Sequence, residues 1–347
     1  MRRTLVISLV VALLLVNPVS TLGAIIATAV GQESEARIET ADPATVYASS
    51  EYFREDFVEL TIADDGKLRI NGRCDTGAER FALLRVDTDP RVFLIRGTIA
   101  PDGTFSGEYD ATPLQDSETV RLWVSFAEKG SNTYWSRHKA IRLSSQNGVL
   151  RFAQSPMYEA NIAAFAADTE LPPGAYLSID VPDAAEREAI VALAVEIVAG
   201  ITDEHEKLLR IHDWVAENIY YDWDTYRSGG KSETSAYATL TNKMSVCQGY
   251  ATLTQALLRS VGIPARIVSG HALGASAGNK YWDDVDHSKS NHAWNEAFVD
   301  GRWVIVDTTW DSQNRYENGQ FNKGSFHYVY FDPSMQAFSQ THKIMTR

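Results

Sequence analysis

Between Phe53 and Phe152 apolar residues recur at every second position. Leu60 and Ile62 alternate with polar neighbours, Leu68 and Ile70 do the same, and Val120, Leu122, Val124 and Phe126 carry the period furthest. Such alternation turns one face of a strand toward a core and the other toward solvent. Asp64-Asp65-Gly66, Pro101-Asp102-Gly103 and Gln146-Asn147-Gly148 punctuate the run, and glycine readily takes the positive φ that tight hairpins require. Six to eight short strands at this spacing predict an antiparallel, sandwich-like all-β domain over residues 53–155.

After Pro156 the period lengthens. A mixed stretch runs to Pro172-Pro173, and Asp183-Ala184-Ala185-Glu186 then reads as a capping box opening a helix that ends at Gly200. Asp203-Glu204-His205-Glu206 repeats the device for a second helix, with Leu208, Ile211, Val215 and Ile219 on one stripe. Trp214, His205 and His212 on that helix read as packing or surface residues. A third helix covers Gln248 to Arg259 and stops near Gly262 and Pro264, because glycine suits a C-terminal cap and proline cannot continue the ladder. Residues 291–307 then predict two strands joined by an Asp300-Gly301 turn. The fold class expected is α+β, a mixed core over residues 156–347 preceded by the all-β domain.

The first 52 residues belong to neither pattern. Met1-Arg2-Arg3 is a short basic start, Leu5 to Val16 is apolar except for Ser8, and Ala27-Thr28-Ala29 offers a small-x-small cleavage site. This is the layout of a secretory signal peptide over residues 1–29, followed by a polar linker over 30–52. The alternative is an uncleaved membrane anchor, although the unbroken apolar run falls short of the roughly 20 residues that span a bilayer. Both readings place the folded part outside the cytoplasm, secreted or at the cell surface. The net charge of −13 carries no basic cluster along the sequence, which argues against nucleic acid as a partner. An exported chain can use disulfides freely, yet only Cys74 and Cys247 exist. No CxxC pair suggests a structural zinc site, and whether the two cysteines pair is left open by the sequence.

Cys247 sits in Ser245-Val246-Cys247-Gln248-Gly249-Tyr250-Ala251 and admits three readings: core filler, half of a disulfide, or nucleophile. Its place at a helix start favours a thiolate, because unpaired N–H groups and the aligned peptide dipoles stabilise negative charge there. Gly249 would let the chain pack closely behind it. Downstream, if Asp300 and Gly301 are the two turn residues, positions whose numbers sum to 601 face each other. His292 and Asp307 then become diagonal neighbours on one sheet face, where a carboxylate can fix the imidazole tautomer and leave the other nitrogen for a thiol. A slip of one residue would separate them.

The Ile219-Tyr220-Tyr221-Asp222 helix end, the SVCQGYA stretch, His292-Ala293-Trp294-Asn295 and the run Trp303 to Asp311 (WVIVDTTWD) together resemble the transglutaminase-like superfamily, over roughly residues 203–335. The resemblance implies a papain-like core with a Cys-His-Asp triad at Cys247, His292 and Asp307, acting by acyl transfer on protein or peptide amides through a thioester. The acceptor would be an amine, giving a cross-link, or water, giving deamidation or peptide hydrolysis. The backbone N–H of Cys247 is the natural oxyanion donor. Gln248 and the indole of Trp223 compete for the second. Neither a metal nor another cofactor is implied, and no EF-hand-type calcium loop occurs. A protein or peptide substrate is expected, cell-wall peptide among the candidates. His271 would edge the cleft and His287 would sit in a lid-like polar loop. His327 and His342 read as structural, and Asp311, Trp303 and Trp310 as buttresses. The competing reading is a non-catalytic surface module that uses the same fold to bind protein or glycan.

Overall fold

A computed structural model of the chain describes residues 57–63, 65–74, 77–117, 119–134, 141–167, 171–274, 282 and 291–347. The expected signal peptide and linker, Asp64 of the first turn and the loop of His287 lie outside the described residues.

Eight strands come first: β1 (Phe57–Ile62), β2 (Lys67–Arg73), β3 (Arg80–Arg85), β4 (Val92–Thr98), β5 (Thr104–Asp110), β6 (Thr119–Ala127), β7 (Ile141–Gln146) and β8 (Val149–Phe152). They form two antiparallel sheets, ordered β1-β2-β5 and β4-β3-β6-β7-β8. The period-two residues face a shared core, in which Leu60, Leu68, Ile70, Val120, Leu122, Val124 and Phe126 are buried. Phe105 ties the core together, its ring centroid 4.6 Å from Phe81 and 5.6 Å from Phe126. At the β7–β8 turn Asn147 and Gly148 both take positive φ, the geometry a two-residue hairpin needs.

The remainder is mixed. Helix α1 (Tyr158–Ala166) precedes α2 (Ala184–Ile197) and α3 (Glu204–Asn218). Asp183 accepts from the N–H of Glu186 at 3.0 Å, and Asp203 from that of Glu206 at 2.8 Å, so each helix starts where its capping residue falls. Two boundaries differ from expectation. Helix α2 ends at Ile197, and Gly200 (φ +81°) turns the chain beyond it. Helix α3 ends at Asn218, because Ile219 is already extended (ψ 142°), and Tyr220–Asp222 continue as strand β9. Short helices α4 (Trp223–Ser228) and α5 (Ala236–Asn242) lead through β10 (Met244–Ser245) into α6 (Cys247–Ser260).

Helix α6 is amphipathic in the expected register: Tyr250, Leu253, Leu257 and Leu258 are buried among residues of α2, α3 and the sheet behind. That sheet is antiparallel, ordered β13-β12-β11-β16, from β11 (Ala265–Ala272), β12 (Asn291–Val299), β13 (Arg302–Val306) and β16 (His342–Thr346). Between β13 and β16 lie α7 (Thr308–Asp311), β14 (Arg315–Glu317), β15 (Gln320–Asn322) and α8 (Met335–Phe338). The chain is therefore α+β behind an all-β, two-sheet region, as its patterning predicts. No described helix is long and apolar enough to cross a membrane.

Candidate active site

The β12–β13 hairpin sets the site. Asp300 and Gly301 both have positive φ, and Asn295 pairs with Val306 and Phe298 with Trp303, so partners sum to 601 as expected. Strand β13 stops at Val306. Asp307 then caps α7, its Oδ1 accepting from the N–H groups of Thr309 at 3.0 Å and Trp310 at 3.1 Å. This capping fixes the carboxylate plane and leaves Oδ2 pointing at His292, whose Nε2 lies 2.6 Å away. Both side chains are buried.

Cys247 arrives from the other side, as the first residue of α6. Val246 at the N-cap has no side-chain oxygen, so the opening N–H groups of the helix receive no side-chain cap. Gly249 lets the helix start press inward: a Cβ there would overlap the Ser245 side chain and Thr239 Oγ1. The Cys247 thiol is half-buried, Cys74 lies in the core of the all-β region, and no disulfide joins the two. Cys247 shares a hydrogen bond with His292 and accepts another from the backbone N–H of Ala293. Because Nε2 of His292 is engaged with Asp307, Nδ1 is the nitrogen left for the thiol.

Electrostatics follow this line of contacts. Burial pushes the Cys247 thiol up, but the hydrogen bond and charge of His292, with the Ala293 N–H, outweigh it, and the net shift is downward. Burial lowers His292, yet the Asp307 carboxylate and the Cys247 thiol raise it well above its ordinary value. Asp307 resists the upward push of burial because His292 and His342 both donate to it, and it is held strongly below the usual carboxylate range. The arrangement favours a thiolate–imidazolium pair backed by a permanent carboxylate.

A cleft of about 480 Å³ opens over this line, with Cys247, Gln248, His271, His292 and Met345 on its walls. Of the two second-donor candidates, Gln248 stands on the wall, where its amide donates to Thr252 Oγ1 of the same helix at 3.3 Å. Trp223 is absent from the lining. Its ring is packed edge-on against Tyr221 and Tyr226 and beneath the guanidinium groups of Arg227 and Arg315. His271 edges the cleft as expected. Trp310 lies 5.5 Å from His292 between ring centroids, a buttress in fact as well as in pattern. Asp311 accepts from His327 and from His212, and both rings are structural.

Two contributors were not legible beforehand. Tyr221, on β9 and paired with Ser245, has its phenol pushed up by burial and, next, by the nearby Cys247. His342, expected only to pack, reaches Asp307 Oδ2 at 3.2 Å. No local pattern could reveal that contact, since β16 joins the sheet through β11, some 70 residues away in sequence. His292, Asp307 and His342 bring ligand-type atoms within 4.8 Å of one another, and Asp307 is hydrogen-bonded to both rings.

Residues 191–308, about a third of the chain, match the family model of the transglutaminase-like superfamily. Among curated proteins, the chain is 28% identical over 123 residues to kyphoscoliosis peptidase of Mus musculus, covering 34% of this chain and 18% of that protein. It is 28% identical over 128 residues to the uncharacterised protein YebA of Bacillus subtilis, covering 35% and 17%. The matches therefore span less than a fifth of those relatives. Among solved structures, a cysteine protease described as tentative, from Cytophaga hutchinsonii, is 19% identical with 81% of both chains covered and a TM-score of 0.31. The periplasmic domain of TgpA from Pseudomonas aeruginosa is 13% identical, covering 78% and 84%, with a TM-score of 0.32.

Proposed function

We propose that this transglutaminase-like chain is an exported thiol enzyme that transfers the acyl group of a protein or peptide amide through a thioester on Cys247. The observation that carries the reading is the unbroken line from a half-buried thiol, through His292, to the buried Asp307 at 2.6 Å. In this scheme the Cys247 thiolate attacks the amide carbonyl. The oxyanion is met by the backbone N–H of Cys247, with Gln248 or Trp223 as the second donor. His292, protonated on Nδ1, gives that proton to the departing amine, and the C–N bond breaks to leave the thioester. An incoming amine or water then attacks the thioester. His292 takes its proton, and the thiolate leaves as the new amide or acid forms. Asp307 stays ionised throughout and holds the imidazole by its Nε2–H.

The basic start and apolar run of residues 1–30 support action outside the cytoplasm, on protein or cell-wall peptide. Residues 156–347 would form the catalytic unit and residues 53–155 an accessory one. The decisive experiment offers wild type and Cys247→Ala a mixture of glutamine-containing peptides and a primary amine, read by mass spectrometry. Amine adducts, deamidated peptides or shortened peptides, each dependent on Cys247, identify the acceptor. If wild type and variant leave the mixture equally unchanged, the enzyme reading gives way to a binding module.

A further inference from the structure

We infer that His342 is a second histidine on Asp307, a positioning residue that shares the charge of the carboxylate on which His292 depends. This rests on the reading of Cys247 and His292 given above, and it extends the site into a strand beyond the segment that matches the superfamily.

The geometry fixes each atom's role. Asp307 Oδ1 is filled by the N–H groups of Thr309 and Trp310, and Oδ2 by His292 Nε2 at 2.6 Å and His342 Nε2 at 3.2 Å. On its other nitrogen, Nδ1, His342 meets Thr341 Oγ1 at 2.8 Å, and Thr341 Oγ1 lies 3.2 Å from Tyr330 Oη. A neutral imidazole facing an ionised carboxylate must carry its proton on Nε2, so Nδ1 is the acceptor side of the ring and the Thr341 hydroxyl is its donor. The ring is wholly buried, stacked on Phe338 at 4.4 Å and flanked by Trp310 at 4.6 Å.

The charged and titratable groups facing His342 are Asp307, His292, the Tyr330 phenol, whose ring centroid lies 5.0 Å away, and, more remotely, Asp311. Burial and the neighbouring His292 charge hold it down to about 4, although Asp307 and Asp311 pull the other way. It is therefore a neutral donor throughout the working range, while His292 changes charge. The strand that carries it is pinned separately. Asn161, fully buried on α1, donates to the carbonyl of His342 at 2.9 Å and accepts from the N–H of Ile344 at 2.8 Å. With two donors on Oδ2, Asp307 cannot swing its charge wholly toward His292. Loss of one donor leaves the charge of Oδ2 to the imidazolium, while Oδ1 stays held by the N–H groups of Thr309 and Trp310.

The test is the pH dependence of Cys247 carboxamidomethylation by iodoacetamide, followed by peptide mass spectrometry so that Cys74 is scored apart. A thiolate–imidazolium pair gives a plateau at acid pH and a second rise where His292 loses its proton. In His342→Ala the second rise is expected to move upward by about half a pH unit or more. In His342→Gln, which keeps an N–H donor, it should return most of the way. Thr341→Val, which removes the donor to Nδ1 at nearly constant volume, should move it in the same direction and spares the fold if His342→Ala does not. Thermal melts accompany each variant. A purely structural histidine would lower the melting temperature and leave the second rise in place, and that result overturns the inference while leaving the enzyme reading intact. If wild-type Cys247 titrates in one step that His292→Ala does not alter, the reading of the thiol itself fails and the inference falls with it.

Discussion

His212 offers the sharpest stability test, because burial and charge oppose each other there without ambiguity of solvent. The ring is fully buried on α3, with Nδ1 3.1 Å from Asp213 Oδ1 and Nε2 3.1 Å from Asp311 Oδ2. Both nitrogens face carboxylate oxygens, so both act as donors and the ring is a cation. Burial alone would lower its pKa, but the two carboxylates prevail and lift it to about 9 from 6.5. A group whose folded value is raised stabilises the fold fully below its unfolded value, and loses that contribution as pH rises through the folded value. At about 1.4 kcal/mol per pH unit, the linkage contributes roughly 3 kcal/mol at pH 6, about 1 at pH 8 and less than that at pH 9. Replacing His212 by Gln removes the titration while keeping a polar side chain of similar reach. Urea unfolding followed by tryptophan fluorescence at pH 6, 7, 8 and 9 then gives the stability difference between wild type and His212→Gln. That difference should shrink by about 2–3 kcal/mol from pH 6 to pH 9. A difference independent of pH would mean that the ring is neutral in the folded chain and that the two carboxylates do not govern it.

Other expectations concern packing. Gly249→Ala forces a methyl group into Ser245 and Thr239. It should lower stability by about 1–3 kcal/mol and slow Cys247 alkylation, by displacing the helix start that carries the thiol; unchanged alkylation together with an unchanged melt would refute the close-packing argument. Glu296→Ala strips the anion from Arg266, bonded at 2.7 Å, and from Arg347, bonded at 2.6 Å, in a buried cluster. Calorimetry should record a loss of about 3–5 kcal/mol, a drop in melting temperature on the order of 10 °C, and a drop under two degrees would show that water reaches the guanidinium groups.

What could be read along the chain was whatever is decided locally. The Asp300-Gly301 turn fixes the hairpin register because both residues take positive φ, and that register, with the α7 cap at Asp307, brings His292 to the carboxylate. The start of α6 was legible for a similar reason, since Gly262 and Pro264 limit where the helix can end and the periodicity carries it back to Cys247. The second oxyanion donor was harder. Trp223 and Gln248 look alike as candidates along the chain, and the structure sets Trp223 in the aromatic cluster of Tyr221 and Tyr226 and Gln248 on the cleft wall. His342 lay beyond reach altogether. Its contact with Asp307 depends on β16 pairing with β11, and on Gly270 allowing that approach, since a Cβ there would overlap the Lys343 carbonyl and the Trp294 ring.

Asp307 and Asp311, one turn apart at the two ends of α7, solve the same physical problem twice. Each is a fully buried carboxylate, and each is shared by one histidine from the earlier part of the chain and one from the C-terminal part: His292 and His342 on Asp307, His212 and His327 on Asp311. Backbone N–H groups complete both shells, from Thr309 and Trp310 in the first case and from Tyr330 in the second. A buried anion deprived of any such donor is penalised by several kcal/mol, so neither carboxylate can be treated as served by its earlier histidine alone. It follows that the segment matching the superfamily, ending at Thr308, is shorter than the unit that makes the site. The C-terminal residues supply a histidine to each aspartate, Met345 to the cleft wall and Arg347 to the Glu296 cluster beneath the sheet. The thiol, the imidazole and the carboxylate are thus set by local sequence, whereas the electrostatic state in which they meet is set by a strand that returns from the far end of the fold.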